Sequence, residues 1–177
     1  MIFWHLGATI ALIRYAFRDE RMDLRFLAFG AVLPDLIDTP LGFVGWSEFQ
    51  NVRLLAHSLL FGATLMVVVL LTTRRGRPRK RWMPVAIGVL VHLFLDAMWN
   101  QPETLWWPFL GLSFTTTGYE TVADYLGWLL TDWKTWAGEA IGAAYLAYLW
   151  VNGGLGDPET RRAFFSTGRI GVPIDPA

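Results

Sequence analysis

The chain has 177 residues, 54% of them hydrophobic and 17% charged, against roughly a quarter charged in an ordinary soluble domain. Ten Trp, twelve Phe and no Cys exclude a disordered chain, a disulfide scaffold, a thiol nucleophile and every Cys-held zinc or iron-sulfur site. Fifteen basic residues balance fifteen acidic ones, so information lies in where the charges fall, and no direct nucleic-acid binding is expected.

In chain order, apolar runs at 2–17 and 26–42 predict the first two helical spans, the second carrying Asp35 and Asp38. Residues 54–73 are twenty positions without a formal charge, about the ~20 that an α-helix needs to cross the hydrocarbon core, and they predict the clearest span. From 82 to 102 the sole charged residue is Asp96, which predicts a fourth. After Tyr119, residues 122–136 and 137–151 read as two short helices or one bent helix, with Gly138 and the polar 131–135 stretch favouring a break. The expectation is an all-α polytopic transmembrane helical bundle over 1–151, of four spans plus one or two less regular ones, followed by a polar tail at 152–177. Arg14 follows the first apolar run, which is not the order of a cleavable signal peptide.

Basic residues then orient the bundle. The connection 18–25 holds Arg18, Arg21 and Arg25, and RRGRPRKR at 74–81 holds six basic residues, whereas 39–51 and 100–121 hold none. By the positive-inside rule the first pair is cytoplasmic and the N-terminus lies outside, in the cytoplasmic membrane of a prokaryote. RRGRPRKR reads as a solvated loop obeying that rule. Trp46, Trp99, Trp106 and Trp107 fall at the outer boundary, where indoles prefer to sit.

Asp at the centre of a span costs ~2.5 to 3.5 kcal/mol on insertion scales, so each intramembrane ionisable group needs a partner or a purpose. The first four spans hold or adjoin six: His5, Asp35, Asp38, His57, His92 and Asp96, including every histidine of the chain. Counted from the nearest basic connection at ~1.5 Å per residue, all six lie roughly 15 to 25 Å above the cytoplasmic edge, one layer in the outer half. His92 and Asp96, at i and i+4, share a helix face, and so do Asp35 and Asp38 at i and i+3 if the turn after Pro34 is helical. Imidazole and carboxylate without sulfur suit one or two divalent ions, zinc foremost and manganese or iron as alternatives. Singly, His5 reads as an interfacial residue, Asp38 as a cap or turn residue and Asp96 as a helix-end carboxylate. Glu139 reads as a partner behind a ligand, and Asp124 and Asp132 as interfacial.

A histidine near the N-terminus, then GAVLPDLID, AHSLLFG, and HLFLD followed by WPF, resembles the bacterial and archaeal membrane-bound metal-dependent hydrolases, described in enterobacteria as LexA-binding inner-membrane-associated hydrolases. The resemblance covers roughly residues 1–110. It implies that His5, Asp35, Asp38, His57, His92 and Asp96 form the metal-binding or catalytic set, with Ser58 part of the motif. The hydrolase label of that family rests on a similarity to zinc-dependent phospholipase C enzymes. Its members often carry a basic residue shortly before the His-Ser pair; here Arg53 stands four residues before His57.

Three function classes follow. A hydrolase would need an open coordination position, a bound water and a general base, which Asp35 or Asp38 could provide where it is not a ligand. A metal-ion or proton transporter would need polar groups reaching both faces, and a scaffold would need none of the six. The cytoplasmic halves LMVVVLLTT and WMPVAIGV hold no ionisable group, which favours the enzyme. A site sunk in the bilayer, beside the aromatic connection 100–121, suits a lipid or lipid-linked phosphoester as substrate, that connection forming the lip, with membrane lipids the surrounding partner. Nothing in the sequence bears on oligomeric state.

Overall fold

The computed structural model describes residues 1–18 and 22–173. Among these every regular element is helical: α1 Ile2–Phe17, α2 Leu24–Val44, α3 Trp46–Phe49, α4 Leu59–Thr72, α5 Arg77–Leu95, α6 Pro102–Leu105, α7 Val122–Thr131, α8 Trp133–Asn152 and α9 Pro158–Thr167. Two 3-10 turns, Leu55–His57 and Met98–Asn100, interrupt the longer connections.

Four spans were expected. Among the described residues only α2, with 21 residues and a mean hydropathy of 1.4, is both long and apolar enough to cross a membrane. α1 and α4 are apolar but have 16 and 14 residues. The charge-free run 54–73 shortens because Ser58 takes an extended backbone and caps α4: its Oγ accepts the Phe61 N–H at 3.1 Å and donates to the Leu55 carbonyl at 2.7 Å. The run after Trp82 shortens because α5 stops at Leu95 and Ala97 adopts a left-handed conformation, φ 51°. α5 also begins inside the basic segment 74–81, and Arg79 of its first turn closes α4 by donating to the carbonyls of Leu70 and Thr73. That segment is therefore part helix and part cap instead of a solvated loop. Arg21 of the other basic connection lies outside the described residues.

Glycine sets the helix pairing. A Cβ on Gly30 would lie 2.2 Å from the Val85 carbonyl, and one on Gly142 would lie 2.0 Å from that of Phe3. Such backbone contact, typical of small-residue crossings, draws α2 onto α5 and α1 onto α8. The break expected after α7 falls at Asp132, which caps α8 by accepting the Thr135 N–H at 3.0 Å, whereas Gly138 lies inside α8 against Trp4.

The segment read as a polar tail folds back on the bundle. The Gly168 carbonyl accepts the Leu24 N–H at 2.8 Å and the Val172 carbonyl accepts Arg14 Nη2 at 2.5 Å. Val172 joins Ile10, Ile13, Leu24, Leu27 and Leu149 in the main apolar cluster. Outward-facing residues stay apolar, with Val44 at 91% and Leu71 at 80% exposure. Of the tryptophans expected at the outer boundary, Trp99 and Trp106 are exposed and Trp107 is half-buried. Trp46 is instead buried beside Val52 and Tyr125.

Candidate metal centre

Helices α1, α2 and α5 and the turn before α4 converge on one cluster. Close approach at Gly30 and Gly88 brings α5 against α2, and one turn beyond Gly88 the ring of His92 reaches the Ala31 carbonyl, Nδ1 to O 2.7 Å. That carbonyl is an acceptor only, so Nδ1 carries a proton, and in the neutral ring Nε2 carries a lone pair. His57 is held the same way from the other side, its Nδ1 lying 2.8 Å from Asp38 Oδ2. With both Nδ1–H groups committed, the two Nε2 atoms face each other at 3.2 Å.

Two lone pairs so placed repel unless a cation lies between them. A zinc ion with bonds of ~2.0 to 2.1 Å to tetrahedral nitrogens separates them by roughly 3.3 to 3.4 Å, close to the distance found. Two carboxylates complete the group. Asp35 Oδ1 lies 3.4 Å from His57 Nε2 and 3.8 Å from His92 Nε2, and Asp96 Oδ2 lies 3.6 and 3.9 Å from the same atoms. One donor atom from each of Asp35, His57, His92 and Asp96 thus falls within 4.8 Å of the others. Such an N2O2 set fits a divalent transition ion.

The remaining expected residues divide into neighbours and supports. His5 is buried against His92, ring centroids 4.0 Å apart, with Nε2 3.0 Å from Asp96 Oδ1 and 3.9 Å from Asp35 Oδ2. It packs on the His92 ring and hydrogen-bonds Asp96, and its Nε2 is not among the four donor atoms of the N2O2 set. Asp38, expected as a ligand or base, is placed for neither task. Its fully buried carboxylate accepts the backbone N–H groups of Leu54 at 2.8 Å, Ala56 at 3.1 Å and His57 at 3.0 Å as well as the His57 ring. Both oxygens are therefore engaged in shaping the 54–57 turn and fixing the His57 tautomer. Ser58 serves as the α4 cap. Glu139 is not behind a ligand but at the start of α1, where its two oxygens accept the Phe3 and Trp4 N–H groups at 3.1 and 3.2 Å, favourable for a carboxylate at a helix N-terminus.

Arg53 enters the cluster directly, Nε lying 2.5 Å from Asp96 Oδ2. Its position depends on Asn51, which sequence reasoning missed. Fully buried, Asn51 accepts the Arg53 N–H at 3.0 Å and donates to the Thr115 carbonyl at 2.6 Å and to Gln101 at 3.2 Å. Only its proximity to Arg53 in QNVRLLAHS hinted at a role. Beside the cluster a cavity of about 540 Å³ opens, with Asp35, Arg53 and Asp96 at one end and walls from α1, α2 and α7. None of the described residues of 100–121 lines it, so the aromatic connection expected as its lip lies elsewhere, tied to Gln50 and Asn51 through Thr117 and Thr115.

The YdjM inner membrane protein family model matches residues 2–156. The chain belongs to that family, which places it in the inner membrane and includes every residue of the cluster. No curated protein and no solved structure matches it.

Proposed function

We propose that this member of the YdjM inner membrane protein family is a multi-pass, metal-dependent hydrolase acting on a phosphoester of a lipid or lipid-linked substrate in the outer half of the bilayer. One observation carries the reading: two histidines whose Nδ1–H groups are both committed direct bare Nε2 atoms at each other across 3.2 Å, with two carboxylates beside them. Zinc foremost, or another divalent ion, would be held by Asp35, His57, His92 and Asp96 and would supply Lewis acidity and an acidified water.

The chain's own groups do the rest. Asp38 and the Ala31 carbonyl hold the two imidazoles in the tautomer that presents Nε2. Of the two carboxylates that line the cavity, Asp35, its side chain 28% exposed against 2% for Asp96, is the more open and can accept a proton there. Asp96 is clamped between His5 and Arg53. Arg53 supplies positive charge at the mouth of the site, where a phosphoryl oxygen would gain negative charge.

Four membrane crossings with the N-terminus outside accompany this reading. Their support is the set of Arg and Lys residues confined to 14–25 and 74–81 within the first 121 positions, apart from Arg53. Transport through the same cluster finds less support, since residues 65–73 and 82–89 present no ionisable side chain toward the cytoplasmic end. The deciding experiment reconstitutes the protein in liposomes, measures bound metal, and assays phospholipids, lipid-linked pyrophosphates and soluble phosphoesters with wild type and Asp96→Asn. Metal-dependent turnover of a lipidated ester that Asp96→Asn abolishes is expected. Absence of turnover for every ester would overturn the enzyme reading, and metal uptake abolished by Asp96→Asn would replace it with transport.

A further inference from the structure

The charged side chains lining the cavity beside the cluster are Asp35, Arg53 and Asp96, and the rest of its lining is apolar apart from Thr39, Thr135 and the Tyr125 hydroxyl. Along α2, Val32, Leu36, Pro40 and Phe43 line it on successive turns, twelve residues and therefore ~16 Å of helix. Trp128 and Leu129 of α7 line it as well. Leu36 is 62% and Trp128 42% exposed although both line the space, so the groove is open along its side. Its volume of about 540 Å³ lies within the ~300 to 1,000 Å³ of small-molecule sites.

Arg53 is the cationic side chain that lines this space. Its Nε is engaged by Asp96 and its backbone N–H by Asn51, while its Nη groups make no hydrogen bond among the described residues. A guanidinium with two unfilled donor groups at the head of an apolar groove is complementary to one ligand chemistry: an anionic head on a hydrocarbon tail. A soluble anion would leave the α2 and α7 walls without a partner, and a neutral lipid would leave the Arg53 Nη groups without one.

We propose that this groove holds a single hydrocarbon chain of an anionic amphiphile, with the head group against Arg53 and the chain lying between α2 and α7. The substrate then reaches the cluster beside α7 and not across the 100–121 connection. What becomes of the head group rests on the hydrolase reading; the binding of the chain does not.

The test uses the full chain in nanodiscs of zwitterionic phospholipid and a hexadecylphosphonate carrying a mid-chain diazirine. Its carbon–phosphorus bond is not a phosphoester, so binding is read without turnover. After photolysis, peptide mapping is expected to place adducts on 32–43 and 122–131. Excess unlabelled hexadecylphosphonate should suppress them and hexadecanol should not. Arg53→Gln and the groove-filling Leu36→Trp should each reduce them on the order of tenfold. A thermal midpoint equal to that of the wild type certifies that Leu36→Trp has folded, and Leu129→Trp is read instead if it has not. Adducts spread evenly over lipid-facing positions, concentrated on 106–114, or unchanged in Arg53→Gln would overturn the proposal. Specific labelling of the groove without hydrolysis of any ester would leave the groove standing and remove the hydrolase reading. Hydrolysis with adducts elsewhere would do the reverse.

Discussion

Asp38→Asn separates a ligand from a residue that positions one. Three donors converge on Asp38 Oδ2, the N–H groups of Leu54 and His57 and the His57 ring, at 2.8 to 3.0 Å, and one on Oδ1, the Ala56 N–H at 3.1 Å. An asparagine keeps most by placing its amide oxygen at the Oδ2 position. Its NH2 then faces the Ala56 N–H, so one donor is left unsatisfied, at about 1 to 3 kcal/mol, and the His57 ring loses an anionic acceptor. The turn should survive, and the damage should appear as looser control of His57. Partners behind a metal-bound histidine are worth roughly 10- to 100-fold in affinity, or about 1.4 to 2.8 kcal/mol. Competition for zinc against a chelator of known affinity, in nanodiscs at fixed pH, reads this directly. Asp38→Asn should bind a full complement with affinity lowered within that range, whereas His92→Ala should fail to retain the ion. An Asp38→Asn affinity within twofold of wild type would refute the positioning argument, and a loss equal to that of His92→Ala would make Asp38 a ligand.

Glu139→Ala should destabilise the protein by ~1 kcal/mol, within the range for a carboxylate at a helix N-terminus, measured as a lower thermal midpoint with metal stoichiometry unchanged. Gly142→Ala places a methyl 2.0 Å from the Phe3 carbonyl; forcing α1 from α8 should cost about 1 to 3 kcal/mol, read in the same melt. At Asp23 burial raises the carboxyl pKa, but the Arg25 guanidinium outweighs it and the net shift is downward. Its contribution is therefore complete above the ordinary carboxylate pKa of ~3.9 and is lost as pH falls below it. The thermal midpoint should hold between about pH 5 and 8 and fall below about pH 4, with a smaller fall in Asp23→Asn. Because the chain lacks cysteine, Glu103→Cys should label from outside intact cells and Arg75→Cys should not; the opposite pattern would reverse the orientation.

What sequence reasoning reached was whatever depends on spacing within one helix. His92 and Asp96 at i and i+4 do share a face, and Asp132 does divide the last apolar stretch. What it missed depends on backbone conformation or on distant contacts. The donors that engage Asp38 are peptide groups of a 3-10 turn, which no side-chain pattern in VRLLAHS announces. Ser58, three residues before Phe61, was a visible capping signal within a run whose lack of charge suggested one continuous span. Glu139 caps a helix 135 residues away, and the docking of Val172 depends on a similarly remote cluster. The segment 152–177 was read only as a polar tail, and nothing local shows that a helix forms at Pro158–Thr167 or what the chain after Gly168 lies against.

The pairing of α1 with α8 bears on how the protein is made. Every residue of the cluster has been synthesised by position 96, yet α1, which delivers His5, is fixed by Gly142 and Glu139 on a helix that ends at Asn152. During membrane insertion the α2 and α5 pair can meet as soon as the first hundred residues have emerged, bringing Asp35, His92 and Asp96 together. His5 waits for the C-terminal third of the chain. A ribosome-bound fragment ending near residue 121 would thus already hold all four side chains of the N2O2 set, Asp35, His57, His92 and Asp96, around a first helix that packs on α2 and α5 but is not yet held by α8.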